Sequence, residues 1–151
     1  RSRHSCWTAL PISISEEWLF GSHYDDCGEE YILPNIVGSA IDYEDYQVDP
    51  NTVGQYSGLH DRKEQDIYKD DILFVEFADK SGGYYLVGWN EETASWGIMD
   101  RYEYQSIKEG YDFAEFKNHT LLAFFKEAII CEVVGNIHDN PELMDVPQKE
   151  G

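Results

Sequence analysis

Basic residues are scarce in this chain: 11 Lys and Arg stand against 30 Asp and Glu over 151 residues, a formal net charge of −19. From His4 to Asp61 there is no Lys or Arg at all, while Glu16, Glu17, Asp25, Asp26, Glu29, Glu30, Asp42, Glu44, Asp45, Asp49 and Asp61 all fall there. Binding to DNA or RNA needs clustered cations that neutralise phosphates, so this surface repels the nucleic-acid backbone and direct binding is not expected. The same field of one sign keeps a chain in solution, and it can also attract a basic protein or imitate the charge of nucleic acid.

Cysteine is also sparse. Cys6, Cys27 and Cys131 are far apart, odd in number and form no C-x-x-C pair, which argues against a disulfide framework or a zinc knuckle and favours reduced thiols in a cytoplasm. Cys131 sits in an apolar run and reads as a small buried residue. Long apolar runs are missing: the stretch Leu121 to Phe125 falls far short of the roughly 20 residues that cross a bilayer. Residues 1–15 lack a continuous apolar segment and are not read as a signal peptide.

What is present is enough for a core. Hydrophobic residues make up 42% of the chain and aromatics 15%, which excludes a disordered acidic tail. Trp18 and Phe20 stand two apart, as on one face of a strand, and Tyr31 to Leu33 resumes a strand after an acidic turn at Gly28, together suggesting a hairpin. Residues 48–71 are dense in turn signals, with Gly54 and Gly58 permitting positive φ and Asp61 able to bond its own following backbone in an Asx turn. Chain reversals are expected to dominate from Thr52 to Tyr68.

Three strands follow. In residues 72–78, Leu73, Val75 and Phe77 point one way and Ile72, Phe74 and Glu76 the other. Residues 79–83 have hairpin chemistry, residues 84–89 are rich in β-formers, and Trp96 and Ile98 share a face in residues 94–99, so a meander is expected. Residues 101–119 show no clean period, and 120–127 fit strand or helix. Residues 129–137 alternate Ile129, Cys131, Val133, Gly135 and Ile137 against the rest, as a closing strand, and Asn140-Pro141 begins one helical turn with Asn140 as its cap. These short strands, without a strand-helix-strand rhythm, point to an all-β fold and a partly closed barrel with little helix. The organisation expected is an N-terminal β-hairpin segment over 1–47, a barrel over 48–145, and a flexible tail over 146–151.

Two stretches carry a family resemblance. Residues 48–61, which include Gly54, Gln55, Tyr56, Gly58, Leu59 and Asp61, lead on to Ile67, Tyr68, Lys69, Asp70, Asp71 and Ile72; together they resemble the signature of the YopX family of phage and prophage proteins. Residues 132–143, with Gly135, Asn136 and Pro141, resemble that family's C-terminal signature, and Glu17 to Ser22 with Tyr31 to Pro34 its N-terminal part. Where the pattern commonly has glycine-aspartate, this chain has Asp70-Asp71, so a tight turn there must be made by aspartate, which tolerates the left-handed region better than most residues. The first 15 residues match poorly. The resemblance implies an SH3-type barrel with a smaller β segment ahead of it and a phage or prophage origin, hence the cytoplasm of a bacterial host. The family is one of unknown function, and the motif residues are expected to shape the barrel.

Chemistry is sparse by comparison. His60-Asp61 and His138-Asp139 could serve a small hydrolase as general base or metal ligand, but both lie at turns, where such pairs commonly cap backbone. Asp25, Asp26, Glu29 and Glu30 lack the spacing of a calcium loop, Gly82-Gly83 lacks the residues of a phosphate loop, and there is no G-x-S-x-G. No catalytic residue, metal or cofactor is assigned. Among Trp89, Trp96, Tyr84, Tyr85, Tyr102 and Tyr104, which could line a groove, the tryptophans read first as core and Tyr102 and Tyr104 as surface. The expectation is a non-enzymatic phage accessory protein that binds another protein, of phage or host, through its barrel surface; Tyr102, Tyr104 and the acids Asp25, Asp26, Glu29, Glu30, Asp42, Glu44 and Asp45 are the candidate surface, the acids being suited to a basic partner. The alternative is an acidic mimic of nucleic acid that occupies a host DNA-binding or defence protein.

Overall fold

The computed structural model describes residues 6–12, 17–34, 46–110 and 119–147. The chain divides into two compact units, Arg1–Gly58 and Leu59–Gly151. Among the described residues the protein is mainly β, with two antiparallel sheets and two short helices.

The first unit is built on strands β1 (Trp7–Ala9), β2 (Leu19–Asp26) and β3 (Glu29–Leu33), and on β4 (Gly54–His60), which runs on into the second unit; their order is β3-β2-β1-β4. The β2–β3 hairpin closes on Cys27 and Gly28, at φ 52 and 90, the two-residue turn with positive φ at both positions that suits strand twist. Asp25 fixes it by accepting the Gly28 N–H at 3.1 Å. Ala9, Ile32 and Val48 form the core, with Trp7, Leu19 and Val53 packed around them. Residues 1–15 gave no strand signal, yet β1 lies centrally, pairing with β2 and with β4. Gly54 to His60 is likewise a strand, where the glycines suggested reversals. Gly58, at φ +86, is accommodated inside it.

In the second unit, β5 (Asp66–Tyr68) is followed by β6 (Asp71–Glu76), β7 (Gly82–Asn90), β8 (Ser95–Asp100), α1 (Arg101–Lys108), β9 (His119–Thr120), α2 (Leu121–Glu127) and β10 (Ile130–Asn136). The sheet order is β10-β6-β7-β8-β9, so β6, β7 and β8 form the expected meander. The barrel is not closed. Its edge strands, β10 and β9, are not paired with each other, and α2 packs on the core face. Leu121 is fully buried among Ile67, Leu73, Val75, Val87, Ile98 and Cys131, and Phe124 stacks on Phe77 and Tyr85 with ring centroids 5.3 and 5.2 Å apart. The opposite face buries Ile72, Leu86 and Met144, flanked by Tyr84, Tyr104, Ile137 and Leu143. The sheet is therefore apolar on both sides, as the run of residues 72–78 requires.

The alternation expected along residues 129–137 breaks at one point. Val133 pairs with Leu73 but Gly135 pairs with Ile72, so Val134 is an extra residue, a β-bulge. One extra residue exchanges the two faces. Cys131 and Val133 accordingly pack with Leu73, whereas Ile137 joins Ile72 on the other side.

Candidate functional site

Part of the first signature meets the second within the second unit. Asp61, only 2% exposed, closes an Asx turn: its Oδ1 accepts the Lys63 and Gln65 N–H groups at 2.8 and 2.9 Å, while its Oδ2 accepts the Val133 N–H at 3.0 Å. The neighbouring Arg62 guanidinium donates to the carbonyls of Ala128 and Ile129, and Lys63 lies 3.6 Å from Glu132. Residues 61–63 thus occupy backbone groups of β10 and of the two residues before it. An unpaired strand edge is a template for unwanted pairing, and this contact blunts it.

Asp70 takes the left-handed conformation, φ 72, at the place where glycine is usual. Its N–H donates to Val87, its carbonyl accepts from Ile137, and its Oδ2 lies 3.0 Å from His138 Nε2. Asp71 Oδ2 accepts the Tyr68 N–H at 2.8 Å. Burial pushes the Asp71 carboxyl up to about 8, the nearby Asp70 and Asp61 charges add to this, and the Tyr68 bond only partly offsets it. Asp71 therefore holds its proton at neutral pH.

The second signature folds on itself. Asn136 Oδ1 accepts the His138 and Asp139 N–H groups, and Asn140 Oδ1 accepts the Asn136 N–H at 3.3 Å. Asn140 stands at the cap position of the 3-10 turn Pro141–Met144, but its side chain makes no capping bond and turns back toward Asn136 instead. A Cβ at Gly135 would lie 2.4 Å from Asn140 Oδ1, so a side chain there would displace Asn140 and its bond to the Asn136 N–H.

The remaining signature residues are spread along the backbone scaffold. Gly54 and Gln55 pair with Thr8 and Trp7, and the Tyr56 N–H donates to Cys6. Leu59 packs on the core that contains the fully buried Ile67, and Tyr68 is buried. His138 meets Asp70, and His60 is exposed. Among the described residues, no group of three His, Cys, Asp or Glu could hold a metal ion, and no helix is long and apolar enough to cross a membrane.

The candidate surface residues are placed differently from one another. Tyr102 is 65% exposed, while Tyr104 packs against Ile72, Leu86 and Met144, with Lys108 over its ring. Asp25 faces Glu30 and Asp26 faces Glu29 across the β2–β3 hairpin. Successive residues of a strand point to opposite faces, so the first pair lies on one face and the second on the other. Asp42, Glu44 and Asp45 lie outside the described residues, as does the tail from residue 148.

The aromatic surface most apparent in the fold is one that the sequence reading assigned to the core. Trp89 pairs with Trp96 across β7 and β8, the rings edge to face with centroids 5.3 Å apart. Trp96 packs on the core, but Trp89 is 42% exposed. The two tryptophans flank the turn symmetrically, Trp89 just before Asn90 and Trp96 just after Ser95, and that spacing was the available signal for a cross-strand pair.

No curated protein matches this sequence. Residues 14–145 match the model of the YopX protein family, a span that starts after β1 and takes in both signatures. The chain belongs to the YopX protein family.

Proposed function

We propose that this chain is a non-enzymatic accessory module that binds another protein, and that it works in the cytoplasm of a bacterium carrying a phage or prophage. The observation that carries this reading is Trp89, a large aromatic left 42% exposed on a strand whose ladder and turn hold it in place. Aromatics are enriched at protein interfaces because they offer large contact area at small conformational cost. The signature residues support the same reading by their use: the Asp61, Asp71 and Asn136 side chains accept backbone N–H groups, and Gly135 pairs with Ile72 in the sheet. A mimic of nucleic acid would gather its carboxylates on one face, and the alternation of Asp25/Glu30 and Asp26/Glu29 favours the binding module over it. Affinity capture from a bacterial lysate at low and high salt tests the proposal. A specific partner retained at high salt is expected for an aromatic contact, since exposed charge pairs are screened. Failure to capture any partner specifically overturns it.

A further inference from the structure

Taking that reading one step deeper, we infer that the Trp89–Trp96 pair with the adjacent Glu91 and Glu92 is a recognition site for an arginine or lysine side chain in a basic segment of the partner. The inference rests on the protein-binding reading, and four observations carry it.

The site is built and held. Trp89 and Trp96 are partners in the β7–β8 ladder, their rings meeting edge to face at 74°, which holds the half-exposed Trp89 indole in place. The turn that follows is pinned by Asn90, 5% exposed, whose Oδ1 accepts the Glu92 and Thr93 N–H groups at 2.9 and 3.3 Å. Glu91 and Glu92 are therefore exposed at fixed places two and three residues from Trp89.

The two strands and the turn that carry the site hold acidic charge alone. From Gly82 to Asp100 there is no Lys or Arg, and the charges present are Glu91, Glu92 and Asp100. Tryptophan offers a cation the best ring face of the aromatic residues. Among the described residues, the cations that stack on rings take tyrosines: Arg101 lies 4.4 Å from the Tyr84 centroid and Lys108 5.6 Å from that of Tyr104. The better aromatic acceptor, flanked by carboxylates, is left for a cation from elsewhere. A net charge of −19 favours a basic partner.

The test uses the full chain and a synthetic octapeptide of alternating arginine and glycine, followed by the indole N–H resonances of the tryptophans. Saturable shifts at Trp89 and Trp96 are expected, with affinity reduced about tenfold by Trp89→Ala. The double variant E91Q/E92Q, on the exposed turn, is expected to weaken binding about threefold at low salt and less at high salt. A control peptide with glutamine for arginine should not bind. If Trp89→Ala fails to fold, as judged by circular dichroism, Trp89→Phe and E91Q/E92Q carry the test. Undiminished affinity in those variants, equal binding by the glutamine peptide, or no saturable shift overturns the inference. A protein partner captured equally by wild type and Trp89→Ala would sink this site while leaving the protein-binding reading intact.

Discussion

Asp61 and Val133 lie 72 residues apart in sequence and share one hydrogen bond, the Val133 N–H donating to the Asp61 carboxylate at 3.0 Å. The same carboxylate closes its own turn through the Lys63 and Gln65 N–H groups, so one buried side chain fixes both a loop and a strand edge. The most recognisable residue of the first signature thereby meets the second signature through backbone. This contact joins the two distant motifs within one fold.

Asp71 makes the stability of the second unit depend on pH in an unusual direction. Its carboxyl rises from the ordinary 3.8 to about 8, mainly through burial, so folding favours the protonated form. That stabilisation is complete below about pH 4 and is lost as pH rises through about 8, at no more than about 1.4 kcal/mol per pH unit. Asp71→Asn keeps the shape and removes the titration. In urea denaturation between pH 5 and pH 8.5, the wild type should lose stability relative to Asp71→Asn. Parallel curves would show that Asp71 ionises normally.

Gly21 is fixed by a backbone contact in the first unit. A Cβ there would stand 1.9 Å from the Leu33 carbonyl oxygen, and a carbonyl in a hairpin cannot step aside as a flexible side chain can. Gly21→Ala should cost on the order of 3 kcal/mol, at the upper end of overpacking effects. The check is the unfolding free energy of the chain in urea, and a change below about 0.5 kcal/mol would contradict the packing described.

The three thiols should fall into two classes. Cys6 and Cys27 are exposed, whereas Cys131 is fully buried and its thiol is pushed up to about 11, first by burial and then by the Asp61 charge. Since the thiolate is the reactive form, an aromatic disulfide reagent at pH 7.5 should titrate two thiols quickly and the third only in denaturant. Three fast thiols would show that the core around Cys131 opens readily.

Much of this architecture was legible because local pattern and final environment agree. Leu73, Val75 and Phe77 alternate in sequence and share one core in the fold. Asp70 stands where glycine is usual and adopts the left-handed φ that this substitution demands. Other features depend on contacts that no local pattern encodes. β1 is three residues long and owes its place to the strands on either side. The bulge at Val134 is invisible to a count of alternate residues, since only the pairing with Ile72 and Leu73 reveals it. α1 carries a local signal in its cap: Asp100 accepts the Glu103 N–H, an acidic cap three residues ahead of a glutamate. Thr120 begins α2 in the same way, through the Ala123 N–H. Of the candidate surface, Tyr102 could be read as exposed, but the exposure of Trp89 could not, because its strand neighbours Val87 and Tyr85 are core residues.

The claim that the signature residues build the scaffold is tested most directly by amide hydrogen exchange in Asp61→Asn. An amide side chain can still accept from the turn but cannot accept on both sides, so the Val133 N–H should lose its partner. Protection of the Val133 amide should fall about tenfold to a hundredfold beyond any change in global stability, with β10 affected before β7 and β8. Unchanged protection at Val133 would contradict the account.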